Sequence, residues 1–147
     1  MTVGTLTDGE VFDAFPGVVL THDNIAHYRG LLERKLLINR CDDCGFWSRP
    51  PRPLCPECWS RSVTPTAVSG KGTIFYYTVM YQGRELPGFE YPHLIAGVEL
   101  AEQEGLRYLA PIVNVAHDDV REGLPVELVW LEDIPGGPVA AFQPSAS

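Results

Sequence analysis

Two CxxC pairs, Cys41-Asp42-Asp43-Cys44 and Cys55-Pro56-Glu57-Cys58, constrain this chain more than any other feature, and they hold all four of its cysteines. Two residues inside each pair let both sulfurs converge on one ion from a tight turn. The ten residues between the pairs are enough for a short hairpin. That is the spacing of a closed four-thiolate tetrahedral site, which suits zinc. Gly45 after the first pair and Pro56 inside the second fit the tight backbone of such knuckles. Iron fits four thiolates too; zinc is the expectation because ribbon modules of this spacing hold it. Two disulfides or four unrelated buried thiols explain the spacing poorly. A redox CxxC calls for a βαβ setting, and none is visible.

A chain of 147 residues supports one domain, or a small domain joined to a minimal metal module. With 45% hydrophobic residues and no apolar run near 18 residues it has no membrane-spanning pattern. Met1 to Glu10 carry neither a basic cluster nor an apolar stretch, so no signal peptide is read there. Metal-spaced thiols without an export signal point to the cytoplasm. The net charge of −8 is unevenly spread. Residues 29–61 hold seven basic and four acidic side chains, whereas residues 62–147 hold four basic and eleven acidic. A cationic ribbon thus joins an anionic body. Arg49, Arg52 and Arg61 either offset the charge of a zinc–thiolate centre or meet an anion such as a nucleotide phosphate.

Along the chain, residues 1–20 show no sustained period and read as an extended arm or as a segment that lies on a partner. Asp23 caps an expected helix to about Lys35, with Ile25, Tyr28, Leu32 and Leu36 on one face. Leu36-Leu37-Ile38 reads as a short strand delivering the chain to Cys41, and Pro50-Pro51-Arg52-Pro53 imposes an extended return. From Val63 the texture turns to β. Strands are expected over Thr73–Tyr81, Leu94–Leu100, Leu106–Val113, Leu124–Leu131 and Val139–Phe142, with a hairpin at Glu104-Gly105 and a turn over Asn114–Glu122. In the fourth, Val126, Leu128 and Trp130 should face inward and Glu127 outward. Gly70 and Gly72 mark a bend before the first. The fold class is therefore mainly β: residues 1–36 as arm and helix, 37–62 as zinc ribbon, and 63–143 as a five-stranded barrel. The OB-fold is the commonest barrel of that count; the periodicity also permits an SH3-like one.

The order of motifs resembles a known family, the acyl-CoA-associated proteins in which a rubredoxin-like zinc ribbon precedes an OB-fold (the domain-of-unknown-function-35 type). The resemblance covers about residues 22–142. It rests on the helix running into Leu36-Leu37-Ile38-Asn39-Arg40-Cys41, on Pro50-Pro51-Arg52-Pro53 between the cysteine pairs, on Gly70-Lys71-Gly72-Thr73, and on Tyr91-Pro92 and Val98-Glu99-Leu100. Trp59 departs from it, because the family usually has glycine after the fourth cysteine. The resemblance implies structural zinc on Cys41, Cys44, Cys55 and Cys58. It also implies a non-catalytic accessory subunit that bridges thiolase-like, and hydroxymethylglutaryl-CoA-synthase-like, enzyme subunits and shapes an acyl-CoA channel.

The residues themselves weigh against the other function classes. A single-stranded nucleic-acid-binding OB-fold needs a basic groove with aromatic platforms. Tyr76, Tyr77 and Tyr81 offer aromatics, but alternating aromatics on a strand are expected in the core, and the barrel carries a net −7. An independent enzyme lacks a nucleophile: the thiols are committed, and His22, His27, His93 and His117 are scattered. A closed four-thiolate site leaves no open position to activate water. A binding module remains. Its loop from Gln82 to Pro92, with Leu86, Pro87, Phe89 and Tyr91, either presents apolar side chains to a contact or folds back on its own barrel. Arg49, Arg52 and Arg61 are the candidates for CoA phosphates, and Phe89 and Tyr91 for the acyl path.

Overall fold

The computed structural model describes residues 6–83, 88–135 and 137–145. The chain divides into two compact units, one running to Ala67 and the other starting at Val68.

In the first unit, a short helix α1 (Asp8–Ala14) starts at Thr7, whose hydroxyl accepts the Glu10 N–H. The expectation of an extended arm is corrected over Asp8–Ala14. Seven residues make a marginal helix alone, so α1 is held from outside. Val11 and Phe15 are buried, Asp8 pairs with Arg29, and the Phe15 ring meets Tyr28 edge-on at 5.1 Å. These partners lie on or beside helix α2 (Ile25–Leu32).

α2 is shorter than its apolar period predicts. Asn24, not Asp23, precedes its first turn, and Arg34 at φ 57 reverses the chain, with the Lys35 N–H bonded back to Gly30 at 2.8 Å. Its buried positions are His27, Gly30 and Leu31, whereas Ile25, Tyr28 and Leu32 are half-buried. Gly30 is needed there because an added Cβ would sit 2.8 Å from both the Leu37 side chain and the Lys35 carbonyl.

The rest of this unit is a three-stranded antiparallel sheet in the order β2 (Trp47–Ser48), β1 (Leu37–Cys41), β3 (Val63–Ala67). Leu36 and Ile38 are buried beside it. The Cys41↔Val63 pairing brings the strand leaving the second cysteine pair onto the strand entering the first.

The second unit is one five-stranded antiparallel sheet, β6 (Arg107–Pro111), β5 (His93–Leu100), β4 (Lys71–Met80), β7 (Pro125–Leu131), β8 (Val139–Pro144). All five expected strands are present within a few residues. The sheet curls until its ends meet: Ile112 and Phe142 form a parallel bridge, and the Val113 N–H donates to the Phe142 carbonyl at 2.9 Å. One parallel contact closing an otherwise antiparallel five-stranded sheet, in which β4 lies between β5 and β7, is the Greek-key arrangement of the OB-fold. Ile74, Val98, Leu100, Val126 and Phe142 are its most deeply buried large side chains. Gly105, at φ 84, turns the hairpin at the expected place. A single-turn 3-10 helix (His117–Asp119) occupies the expected turn after β6. In β7, Val126 is buried while Leu128 and Trp130 are only half so.

β4 differs from a core strand. β7 pairs with it only at Lys71–Thr73 and the neighbouring loop at Ile74; beyond that, among the described residues, β5 alone lines it. Among the described residues its far half therefore has one edge without a strand partner. The register slips between Ile74 and Tyr76, as at a β-bulge.

Candidate metal centre and ligand surfaces

The two cysteine pairs form knuckles of matching geometry. In the first, the Cys41 N–H bonds the Phe46 carbonyl at 2.9 Å and the Gly45 N–H returns to the Cys41 carbonyl at 3.0 Å. In the second, the Cys55 N–H bonds Ser60 at 2.9 Å and the Trp59 N–H returns to Cys55 at 3.0 Å. Backbone amides also point at the leading sulfurs: Cys44 N–H to Cys41 Sγ and Glu57 N–H to Cys55 Sγ, each at 3.4 Å. Two carboxylates fasten the knuckles, Asp42 accepting from the Thr64 hydroxyl at 2.8 Å and Asp43 from that of Ser60.

The four sulfurs lie within 4.8 Å of one another, with Cys41–Cys58 and Cys44–Cys55 both at 3.6 Å. Thiolates ~2.3 Å from a shared tetrahedral ion stand ~3.8 Å apart, so the cluster has the size of that cage. Its protonation behaviour agrees. The Cys44 N–H draws Cys41 down to about 7, against burial, and the Asp43 N–H adds to the lowering. The Ser60 N–H lowers Cys58, but the Cys41 sulfur and burial together push it up to about 12. Four thiols this close cannot all ionise unless a cation stands among them, and a divalent metal supplies that charge. Cys41 and Cys55 are buried and Cys44 and Cys58 exposed.

The departure at Trp59 keeps the same turn as Gly45. Gly45 has φ 79 and Trp59 has φ 65, so both knuckles demand the left-handed conformation after their last cysteine. Glycine adopts it freely; an L side chain costs about 1–2 kcal/mol. The chain holds that conformation at Trp59, with the indole 77% exposed.

The three arginines are all exposed, and Arg49 and Arg61 border different cavities. Arg49 borders a cavity of about 330 Å³ with His27, Tyr28 and Pro50, whereas Arg61 borders another of about 420 Å³ with Pro53 and Leu54. The Arg52 carbonyl accepts from Asn39 at 3.4 Å. Burial, with the nearby Arg49 charge, pushes the His27 imidazole down to about 4, against the pull of the Leu37 carbonyl.

In the barrel, Phe89 and Tyr91 turn back toward their own fold. Their rings stand 4.7 and 6.4 Å from that of buried His93. Gly88, at φ 86, lies so close to Ile134 that an added Cβ would clash, and this joins the loop after β4 to the loop after β7. Leu86 and Pro87 lie outside the described residues. A cavity of about 540 Å³ opens between Phe89, Glu90, Leu94, Ile112 and the histidines His93 and His117. Burial and then the His117 charge hold His93 below its ordinary pKa. Sequence reasoning missed His117 as its neighbour, because 24 residues and two strands separate them.

The aromatics of β4 overturn the expectation that they fill the core. Phe75, Tyr76, Tyr77 and Tyr81 are 46, 47, 40 and 74% exposed. The Arg107 guanidinium lies 3.6 Å from the centre of the Phe75 ring, and Tyr76 covers the backbone of Gly97, its cross-strand partner. A bulge beside a free edge lets consecutive side chains leave the core, which strict alternation would not.

The family model described as "ChsH2, rubredoxin-like zinc ribbon domain" matches residues 29–64, and "ChsH2, C-terminal OB-fold domain" matches 65–131. A DUF35 domain-containing scaffold protein of Pyrococcus furiosus is 36% identical over 70% of this chain and 74% of its own length. A probable enoyl-CoA hydratase alpha subunit of Thermomonospora curvata is 34% identical over 88% of this chain, which spans 40% of that longer protein. A solved chain described as Ltp2-ChsH2(DUF35) aldolase is 34% identical, with a TM-score of 0.78 over 86% of this chain and 98% of that one. With consecutive matches to both halves, the chain belongs to the ChsH2 (DUF35) family, a rubredoxin-like zinc ribbon followed by an OB-fold.

Proposed function

We propose that this chain is a non-catalytic accessory subunit that docks on a thiolase-fold acyltransferase, thiolase or aldolase and helps to shape its acyl-CoA channel. The observation that carries the reading is the far half of β4, a strand edge unpaired among the described residues, with aromatic side chains exposed beside it. Such an edge is an aggregation hazard in a protein that works alone, and it is what a scaffold offers to a partner. The curated relative named as a scaffold and the solved aldolase chain support the same reading. Single-stranded nucleic acid is the weaker occupant: the aromatics are exposed enough to stack, but the net −7 of residues 62–147 repels phosphates.

Within this reading Cys41, Cys44, Cys55 and Cys58 hold a structural zinc whose coordination is closed, so the metal orders the ribbon and supplies no chemistry. Phe89, which lines the 540 Å³ cavity, and Tyr91, whose ring stands 6.4 Å from that of His93 in the cavity wall, border the acyl path. Arg49, Arg52 and Arg61 offer guanidinium groups to CoA phosphates.

Purified alone, the protein should show no thiolysis, condensation or retro-aldol activity, and from its native host it should co-purify with a thiolase-fold subunit. A chain that runs free and turns over an acyl-CoA unaided would refute the reading. Arg52→Ala should weaken CoA binding to the complex by about 1.5–3 kcal/mol per charge-assisted hydrogen bond lost, without loosening the complex. Equal CoA affinity in a calorimetric titration removes the arginine from the site.

A further inference from the structure

We infer that the cavity lined by His93 and His117 receives the far end of the acyl group, and that it selects chains carrying a neutral oxygen there, a ketone or a hydroxyl. The inference deepens the accessory-subunit reading and rests on it. That reading leaves the reacting thioester to the enzyme subunit, so the part of the acyl group that reaches this wall is the end remote from it. The first observation is His93 itself, at the start of β5. It is 7% exposed, and among the described residues neither its imidazole nor that of half-buried His117 has a hydrogen-bond partner. Phe89 and Tyr91 hold the His93 ring by ring contacts, at 4.7 and 6.4 Å between centres. A buried polar side chain is nearly always paired, because burial without a partner is costly. Both imidazoles line the cavity of about 540 Å³, a size typical of small-molecule sites, and an occupant there can supply the missing bonds.

The wall selects the occupant. Phe89, Leu94 and Ile112 are apolar, so the body of the ligand is apolar too. Burial, and then the His117 charge, hold His93 below its ordinary pKa. At neutral pH it is therefore an uncharged ring with one N–H donor and one acceptor nitrogen. The charged residues at wall positions or next to them in the chain are Glu90 and Asp118, and residues 62–147 carry a net −7, so a carboxylate end is repelled. A metal ion is not the occupant. Among the described residues the four thiols are the one group of three or more ligating side chains close enough to share an ion. A neutral oxygen accepts from an imidazole N–H without bringing charge, and a hydroxyl also donates to the second ring.

The test titrates the zinc-loaded chain with 2-octanone, 2-octanol, octanoate and octylamine while the imidazole nitrogen resonances are followed by NMR. Wild type, His93→Phe, His93→Gln and His117→Leu are compared. The ketone and the alcohol should bind wild type more tightly than either charged probe and shift the His93 and His117 signals together. His93→Phe should weaken 2-octanone binding by about three- to tenfold, as for one hydrogen bond lost. His93→Gln, which keeps a donor, should restore most of it. Equal affinity of 2-octanone for wild type and His93→Phe, or no imidazole shift, overturns the inference; no enzyme subunit takes part, so the accessory reading stands. Tighter binding of octanoate or octylamine overturns it too, by making the cavity a site for charge. If no thiolase-fold subunit co-purifies with wild type, the accessory reading falls, and the acyl assignment with it. Should His93→Phe not fold, His117→Leu decides alone: unchanged affinity for 2-octanone overturns the inference.

Discussion

His27 shows how one side chain ties acid stability to local packing. Burial, with the Arg49 charge beside it, holds its pKa near 4 instead of 6.5 in the folded protein. The folded value lies below the unfolded one, so the unfolded chain binds more protons between pH 6.5 and about 4. Stability is whole above 6.5 and falls as the pH drops through that window, by about 3 kcal/mol at most. His27→Gln should flatten that slope in denaturant titrations at pH 7, 5.5 and 4; an unchanged difference between pH 7 and 4 would count against it. Gly97 makes the complementary point for packing. Any Cβ there would overlap the Tyr76 ring lying across it, so Gly97→Ala should destabilise the barrel by about 1–3 kcal/mol. The check is thermal melting of Gly97→Ala in the wild-type and Tyr76→Ala backgrounds: the penalty should shrink once the ring is gone. Neither effect was legible in the sequence, since the Arg49 that acts on His27 lies 22 residues away along the chain and Gly97 sits in an ordinary apolar strand.

Among the elements, the cysteine knuckles were fully legible and α1 was not. CxxC spacing encodes its own geometry, because the two sulfurs of each pair are local neighbours whatever the rest of the chain does. α1 has one weak cap and seven residues, and it exists through its pairing with Arg29 and its burial of Val11 against the unit. The ribbon is as small as α1 is short, so its order should depend on metal. Cys41→Ser and Cys55→Ser should each lower bound zinc from about one equivalent toward none and cost solubility with it. Elemental analysis of the purified variants checks this, and a variant keeping a full equivalent would contradict it. β4 was legible as a long strand but not as an exposed one. Dense β-branched and aromatic composition predicts extension well, but burial depends on how far β7 follows its edge, and β7 leaves after Thr73.

For the whole molecule, the two compact units carry different kinds of stability, one from a metal-ordered ribbon and helix pair, the other from a closed sheet with an apolar interior. Chelation should therefore separate them. With a strong chelator at neutral pH, amide hydrogens of β1 and β3 should lose protection from exchange while those of β5 keep theirs; simultaneous loss in both would disprove the separation. No helix among the described residues is long and apolar enough to cross a membrane. The cysteine spacing, the cationic ribbon on an anionic body and the strand count were determined by the sequence alone, because each follows from neighbours along the chain or from composition. Tertiary structure alone decided the parallel closure between Ile112 and Phe142, the meeting of His93 with His117, the separation of Arg49 from Arg61 and the exposure of the β4 aromatics. These depend on where distant segments arrive, and a curled sheet sets that by register and twist, which no local pattern encodes.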